Sequence, residues 1–159
     1  MAFFTQERRR SWAILALRVV IGLGFMVQGI AKWSHGPANF GKLLQQIGAP
    51  LPTQTAWLVT LLETFGGLAI LLGFAVTILS VPLIASMLVA LFTVQIHYGF
   101  SSVNTIGLKP SGPVFGPPGY EINLLYIAGL LVIALAGPGA ASVDDWFKTR
   151  KGGKPTERS

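Results

Sequence analysis

Four runs of apolar residues, each at or near the length of a helix that crosses a lipid bilayer, lie at 12–33, 56–72, 76–96 and 122–136. A membrane-spanning helix needs about 20 such residues, and about 17 is the lower limit. The fourth run reaches that limit only when it is counted from 120 to 137. The runs therefore predict an all-α membrane protein with a four-helix transmembrane bundle, and three spans are the main alternative.

The composition agrees with a membrane protein rather than a water-soluble one. Hydrophobic residues make up 52% of the 159-residue chain and charged residues only 11%, which leaves too few polar side chains to cover a soluble fold of this size. We expect a multi-pass protein of the inner (plasma) membrane of the cell, with the lipid bilayer as its first partner.

Basic residues flank the apolar runs at both ends of the chain and are sparse between them. Arg8, Arg9 and Arg10 precede the first run, and the last is followed by Lys148, Arg150, Lys151, Lys154 and Arg158. Because Lys and Arg collect in the cytoplasm, both termini are predicted to be cytoplasmic, which requires an even number of spans. Residues 1–147 would form the four-span transmembrane domain, and 148–159 a basic, disordered cytoplasmic tail. Basic residues in this arrangement argue against nucleic acid as a partner.

Two connections between the runs have patterns of their own. Residues at the spacing of one helical face predict a short extra helix between spans one and two, on the membrane surface or packed on protein: Phe40, Leu43, Leu44 and Ile47. The connection at 101–119 is rich in Gly and Pro and long for a simple turn. Such segments are often lids or binding loops, and are otherwise merely mobile.

The first run contains a charged residue that needs a partner inside the bundle. Arg18 shares a helical face with Gly22 and Gly29, and glycines let a second helix approach closely. A charge in hydrocarbon costs about 2.5–3.5 kcal/mol on insertion scales, so we expect Arg18 to point inward and to pair with Glu63 of the second run. The pair is either a structural contact that fixes the helix register or part of a proton or ligand site.

Further polar residues collect where the spans reach the outer side of the membrane. Together with the two charged residues above, they make up the candidate ligand-binding set: Arg18, Gln28, Lys32, Glu63, His97, Glu121, Asn123 and Tyr126, with Gln95 and Tyr98 beside them. A histidine with a carboxylate is able to relay protons near neutral pH, although each residue alone also suits an ordinary helix end at the interface. No catalytic residue is assigned. No metal site is predicted, and a chain without cysteine supplies no thiol chemistry.

Motifs in or beside all four runs resemble the DoxX family of small bacterial and archaeal membrane proteins. They are GFMVQGIAKW at 24–33, LLETFGGLAILLG at 61–73, IHYGF at 96–100 and GYEINLLYIAGLLVIALAGPGAASVDDW at 119–146. The resemblance implies four spans. It also implies a link to redox systems, because name-giving members are associated with a terminal quinol oxidase, related proteins with thiosulfate:quinone oxidoreductase, and others with detoxification of oxidants or aromatic compounds.

These features lead to three hypotheses about function. The first is a quinone-linked redox subunit or accessory component of an oxidoreductase complex, with quinone as its cofactor and no intrinsic redox centre, so that electrons come from a partner protein or a soluble reductant. The second is a non-enzymatic scaffold that anchors a soluble redox enzyme, and the third is a transporter of a small molecule or lipid. An oligomer is compatible with each of them, and the sequence leaves open whether the protein has catalytic turnover.

Overall fold

Apolar helices make up most of the structure, a computed structural model that describes residues 6–151 of the chain. In chain order the elements are α1 (Gln6–His35), α2 (Pro37–Gln46), α3 (Pro52–Leu61), a π-helical turn (Leu62–Gly66), α4 (Gly67–Leu72), α5 (Val76–Thr93), a 3₁₀ turn (Gln95–Tyr98), β1 (Thr105–Lys109), β2 (Gly112–Phe115), α6 (Glu121–Ala136) and α7 (Val143–Lys151). Three helical segments are long and apolar enough to cross a membrane: α1, Pro52–Leu72 and α5. The helix α6 is equally apolar but has only 16 residues.

The outward faces of these helices are apolar, as expected for a protein surrounded by lipid. Val20 and Val27 of α1, Ile78 and Val81 of α5 and Leu135 of α6 are all mostly exposed. In water such a continuous surface would promote aggregation, whereas lipid tails are as apolar as these side chains. The chain is therefore an integral membrane protein whose apolar residues both fill its core and face the lipid.

The helix α1 packs along the Pro52–Leu72 segment on one side and along α6 on another, while α5 packs on α6. Near one end of the bundle, the N–H of Ala140 donates to the carbonyl oxygen of Ser11 at 3.1 Å. Near the other end, the rings of Tyr126 and Phe25 meet edge to face, with centroids 5.2 Å apart. Apolar side chains fill the space between the helices: Ile21, Phe25, Ile70, Val76, Leu83, Met87, Leu130 and Ile133.

The close approach predicted along the glycine face of α1 is confirmed. A Cβ added at Gly22 would lie 2.8 Å from the carbonyl oxygen of Gly67 in α4. A Cβ added at Gly29 would lie 2.6 Å from the backbone nitrogen of Thr64. These glycines therefore bring α1 against the second span of the same chain rather than leaving a glycine face for a partner helix.

The short helix predicted between spans one and two is present as α2. It packs against α3, and Leu44 is its buried apolar residue. Gly48, with a φ of 72°, ends the helix in the left-handed conformation, and the N–H of Ala49 donates to the carbonyl oxygen of Leu44 at 2.9 Å. The helix thus packs on protein, while Leu43 of the same apolar face stays 45% exposed.

The fold is mostly helical, as predicted for an all-α membrane protein, but the connection between α5 and α6 contains a β-hairpin that the sequence did not predict. The strands β1 and β2 pair antiparallel, with Leu108 opposite Pro113 and Lys109 opposite Gly112. Pro110 and Ser111 form the turn between the strands. Proline favours this position because its ring holds φ near the value that the first central residue of a turn needs. Pro113 is tolerated because each strand of a two-stranded ribbon is an edge strand.

The helix α7 begins after α6 and extends past the expected boundary between domain and tail at 147/148. Ser142 caps it by accepting a hydrogen bond from the N–H of Asp145 at 3.2 Å. The Arg150 guanidinium lies over the Trp146 ring, 3.9 Å from its centroid, which joins two successive turns of the helix. The chain is therefore helical as far as Lys151, and residues 152–159 of the predicted tail lie outside the described residues.

Candidate functional site

A cavity of about 750 Å³ lies at the end of the bundle where α1 and α5 end and α3 and α6 begin. We call it the outer cavity, after the side of the membrane on which the sequence analysis expects these residues. Its walls are mostly apolar and come mainly from four helices: Phe40, Leu43 and Leu44 from α2, with Ile47 just after it, Val59 from α3, Val89 and Ala90 from α5, and Ile122 from α6. Small-molecule sites typically have volumes of about 300–1,000 Å³ and apolar walls with a few polar groups, so this cavity is the candidate functional site.

An ion pair between Lys32 and Glu63 forms part of the polar lining of the outer cavity. Lys32 Nζ contacts Glu63 Oε2, and the same ammonium lies 5.3 Å from the centroid of the Phe40 ring. Glu63 is only 3% exposed, so its charge is stabilised mainly by Lys32. Its position in the π-helical turn Leu62–Gly66 fits the frequent occurrence of such turns at functional sites.

The predicted pairing of Arg18 with Glu63 is wrong. Lys32 lies about 21 Å further along α1 than Arg18, at 1.5 Å per residue, and it is the cation at the depth of Glu63. The Arg18 guanidinium instead donates to backbone carbonyl oxygens: to Pro138, to Ala140 at 3.3 Å, to Leu71 at 3.0 Å and to Ala141 at 3.2 Å. Arg18 therefore joins the end of α4 to the link between α6 and α7, and it does not line the outer cavity.

A glycine makes room for this arrangement of Arg18. Gly73, which follows α4, has a φ of 72°, and a Cβ added there would lie 2.6 Å from the central guanidinium carbon. A side chain at this position would thus be strained by the backbone angle and would also collide with Arg18. The arginine and the glycine together close the end of the bundle opposite to the outer cavity.

Asn123, near the start of α6, contributes a buried polar group with an unused hydrogen-bonding site. The residue is 2% exposed and lines the outer cavity. Its Nδ2 donates to the carbonyl oxygen of Met87 at 3.3 Å, while its Oδ1 is buried without a hydrogen-bond partner in the described part of the chain. A buried acceptor left unpaired costs about 1–3 kcal/mol, so a donor that enters the cavity would gain from meeting it.

Tyr126 and Gln28 complete the polar lining that the sequence predicted. Tyr126 lies one turn beyond Asn123 on α6, and its hydroxyl packs beside Gly24, where a side chain would displace it. Gln28 lies one turn before Lys32 on α1. Within residues 6–151, neither side chain has a hydrogen-bond partner, so both are free to bind a ligand.

Two predicted site residues lie away from this cavity. His97 is exposed on the 3₁₀ turn, and it does not contribute to the lining. Glu121 accepts a hydrogen bond from the N–H of Ser102 at 3.0 Å and so holds the start of the hairpin connection against the first turn of α6. The structure does not join His97 to Glu121 among the described contacts, so it gives no support to a proton relay between them.

The outer cavity thus brings together Gln28, Lys32, Glu63, Asn123 and Tyr126, and it leaves Arg18, His97 and Glu121 outside. Sequence reasoning missed the wall supplied by α2. The signal for this wall was the apolar face of α2. Apolar residues recur at the same sequence spacing whether the face packs on lipid, on protein or on a ligand, so the spacing did not identify a cavity wall. Pro118 is the residue of the hairpin connection that lines the cavity.

Comparisons of the sequence with family models and with curated proteins both find membrane proteins. The DoxX family model matches residues 13–96, which include Lys32 and Glu63. The Uncharacterized membrane protein Rv3486 of Mycobacterium tuberculosis (strain ATCC 25618 / H37Rv) is 27% identical over 143 residues, which cover 83% of this chain and 79% of that protein. No solved structure matches the chain at a significant level. The resemblance seen in the motifs is confirmed, and the chain belongs to the DoxX family.

Proposed function

We propose that the protein is a quinone-linked subunit or accessory component of a membrane oxidoreductase complex, and that the outer cavity holds the quinone headgroup. The observation that carries the proposal is the convergence of a few polar groups on an apolar cavity of about 750 Å³. A quinone needs that combination, because its ring and tail are apolar and its two oxygens form hydrogen bonds. Electrons would come from a partner protein or a soluble reductant.

The free groups of the cavity fit such a headgroup. The Tyr126 hydroxyl is able to donate to a carbonyl oxygen or to accept from a hydroxyl group, and Asn123 Oδ1 accepts only. Phe40 and Ile122 offer apolar contact for the ring. A bound quinone supplies two-electron redox chemistry, and the residues of this chain would bind its ring, orient its oxygens and keep bulk water away from them.

We also propose four membrane crossings with both termini in the cytoplasm of a cell whose plasma membrane holds the protein. The contact between Ala140 and Ser11 supports this, since it joins the segment after α6 to the start of α1. At the other end, Asn123 and Lys32 line the same cavity. The 16 residues of α6 therefore run from one end of the bundle to the other, although α6 is shorter than the other spans.

Labelling of introduced cysteines tests this topology, because the natural chain has no cysteine to give a background signal. In intact cells, we expect Arg9→Cys and Arg150→Cys to be protected from a membrane-impermeant maleimide and Ser111→Cys, in the turn of the hairpin, to be labelled. Both protected positions should react after the membrane is permeabilised. If only one of them is protected in intact cells, the number of crossings is odd and the proposed topology fails.

Quinone binding is tested by filling the cavity. Ala90 lines it, and in Ala90→Phe the ring would occupy space that the headgroup needs. We expect quinone to co-purify with the gently extracted wild-type protein, and Ala90→Phe to weaken binding at least about tenfold, which corresponds to about 1.4 kcal/mol. Mass spectrometry of the extracted protein and titration with a short-tailed quinone measure the two effects.

The matched control is His97→Ala, because His97 lies on the same side of the bundle but outside the cavity. It should bind quinone as the wild type does. Equal quinone content in all three proteins would show that the outer cavity is not the site, and the absence of quinone binding by the wild type would remove the proposal altogether.

A further inference from the structure

The β-hairpin between α5 and α6 has one apolar face. Leu108 lies opposite Pro113 in the antiparallel pair, so their side chains project from the same face. Because successive residues of a strand alternate between faces, Phe115 of β2 lies on that face too, whereas Lys109 and its partner Gly112 lie on the other one. We call the three apolar residues the hairpin face: Leu108, Pro113 and Phe115.

The hairpin face is uncovered in the part of the chain that the structure describes. Leu108 is 84% exposed and Phe115 is 59% exposed, and Ile106 and Val103 beside them are also mostly exposed. The two strands pair with each other, and no helix among residues 6–151 packs along either of them. An isolated two-stranded hairpin is marginally stable at best in water, so the hairpin face needs a covering surface.

The surface that leads to the hairpin already faces lipid. Phe92 near the end of α5, Ile96 in the 3₁₀ turn and Phe100 after that turn are all exposed apolar residues. They extend the lipid-facing surface of α5 along the chain as far as the start of the hairpin connection. The hairpin face is therefore continuous in the chain with a surface that the bilayer covers.

The two ends of the hairpin connection are fixed to each other where α5 ends and α6 begins. The N–H of Gly119 donates to the carbonyl oxygen of Ser101 at 2.9 Å, and a Cβ added at Gly119 would lie 2.7 Å from the same oxygen. The N–H of Glu121 donates to the carbonyl oxygen of Phe100 at 2.9 Å. The rings of Phe100 and Tyr120 meet edge to face, with centroids 5.5 Å apart, and aromatic rings are typical of the boundary between lipid and water.

The size and charge of the hairpin favour lipid over a protein as its cover. A stable protein interface buries about 800 Å² on each partner, and the three side chains of the hairpin face are too few to supply that area. The segment 101–119 contains a single charged residue, Lys109, so it offers no charge pattern that a protein partner could match. A lysine beside apolar residues suits the membrane surface, because its ammonium reaches the headgroups while its stem stays in apolar surroundings.

We propose that the hairpin lies on the membrane leaflet next to the outer cavity, with the hairpin face in contact with lipid. Its tip at Lys109 and Ser111 then lies at the level of the headgroups, where water reaches it. Open strand edges do not occur in the hydrocarbon region, so the hairpin rests in the interface and does not enter the centre of the bilayer. The proposal goes beyond the quinone site and does not depend on it.

Spin labels on introduced cysteines test this arrangement in the full chain in lipid nanodiscs, because the natural chain has no cysteine. Collisions with oxygen, which concentrates in lipid, and with a water-soluble nickel chelate report what surrounds each label. We expect labels at Leu108→Cys and Phe115→Cys to collide more often with oxygen, and several-fold less often with the chelate, than the label at Lys109→Cys. Lys109 is the matched control, because it lies in the same hairpin on the opposite face.

A charge placed on the hairpin face tests whether the face docks as one surface. In Leu108→Asp, the label at Phe115→Cys should gain access to the chelate, because a carboxylate is costly in apolar surroundings and should lift the hairpin into water. In Lys109→Asp, which changes the charge on the opposite face, the same label should stay in lipid. These residues lie in the exposed hairpin, so the substitutions leave the helix contacts in place.

Three outcomes would overturn the proposal. Equal access of the chelate to all three labels would place the whole hairpin in water. Labels on the hairpin face that neither reagent reaches would show a protein cover, and spectral broadening that disappears on mixing with unlabelled protein would identify this cover as a second copy of the chain. A label at Phe115→Cys that stays in lipid in Leu108→Asp would show that the hairpin face does not dock as one surface.

Discussion

Replacing Gly67 with alanine is expected to destabilise the bundle by about 3 kcal/mol or more, the upper part of the range for overpacked cores. A Cβ at this position would lie 2.7 Å from the backbone nitrogen of Met26 and 2.8 Å from the carbonyl oxygen of Gly22. Both are main-chain atoms of α1, which are unable to swing aside as a flexible side chain does. The substitution must therefore push α1 and α4 apart along much of their shared face.

Gly66, the preceding residue, is the matched control. A Cβ there would lie 3.5 Å from the terminal carbons of Leu83, which is an ordinary van der Waals distance. Gly66→Ala should therefore leave the stability unchanged or raise it by up to about 1 kcal/mol, because alanine loses less backbone entropy than glycine in a helix. Two neighbouring glycines on one helix are thus expected to give opposite results.

The measurement is the unfolding midpoint of each purified variant in a detergent titration. Gly22→Ala should reproduce the loss seen for Gly67→Ala, because the same two backbones approach each other there: its Cβ would lie 2.7 Å from the backbone nitrogen of Leu71. Equal midpoints for Gly66→Ala and Gly67→Ala would contradict the close approach of α1 and α4.

The helices were predictable from the sequence because their signal is local. A long apolar run specifies a helix in lipid, since every backbone group must be satisfied within its own segment. The glycine face of α1 at Gly22 and Gly29 was predictable for the same reason: its spacing alone shows that small residues share one side. The bounds of α6 were less clear, because its apolar residues are fewer than a typical span needs.

The charge partners were not predictable in the same way. The sequence shows that Arg18 must be sheltered, but backbone carbonyls occur at every residue, and nothing in the sequence marks those of Leu71 and Pro138 as its acceptors. Likewise, Lys32 was predicted at the outer rim and Glu63 inside the bundle, whereas the structure places them in contact. The pairing depends on the relative depth of two helices, which the composition of each helix does not specify.

The hairpin between α5 and α6 was missed because its residues carry conflicting signals. The turn residues Pro110 and Ser111 suit a hairpin, but Gly107 and Pro113 interrupt the alternation that normally marks a strand. Gly and Pro in such numbers favour a loop when only the local pattern is considered. The strands form because they pair with each other, and that pairing is not a property of either segment alone.

Arg18→Leu is expected to destabilise the protein by about 3 kcal/mol, even though it removes a charge from the membrane. The loss of the charge saves about 2.5–3.5 kcal/mol of insertion cost. Against this, the carbonyl oxygens of Leu71, Pro138, Ala140 and Ala141 lose the guanidinium that bonds them, at about 1–3 kcal/mol for each one left buried without a donor. The second effect is larger because one guanidinium serves several acceptors at once.

Arg18→Lys separates the charge from the geometry. Lysine keeps the positive charge, but its compact ammonium is unable to reach the end of α4 and the α6–α7 link together as the flat guanidinium does. We expect its unfolding midpoint to lie between those of Arg18→Leu and the wild type. Arg9→Leu serves as the control, because Arg9 is exposed near the start of α1 and its loss should leave the midpoint unchanged.

The same variants decide whether Arg18 acts at the ligand site. Arg18 lies at the end of the bundle opposite to the outer cavity, so folded Arg18→Lys should bind quinone with wild-type affinity. A wild-type midpoint for Arg18→Leu would mean that the four carbonyl oxygens find other donors and that the arginine does not hold this end together. If a stable Arg18→Lys protein bound the ligand less tightly than the wild type, the two ends of the bundle would have to be energetically coupled. The contacts of the Arg18 guanidinium do not predict such coupling.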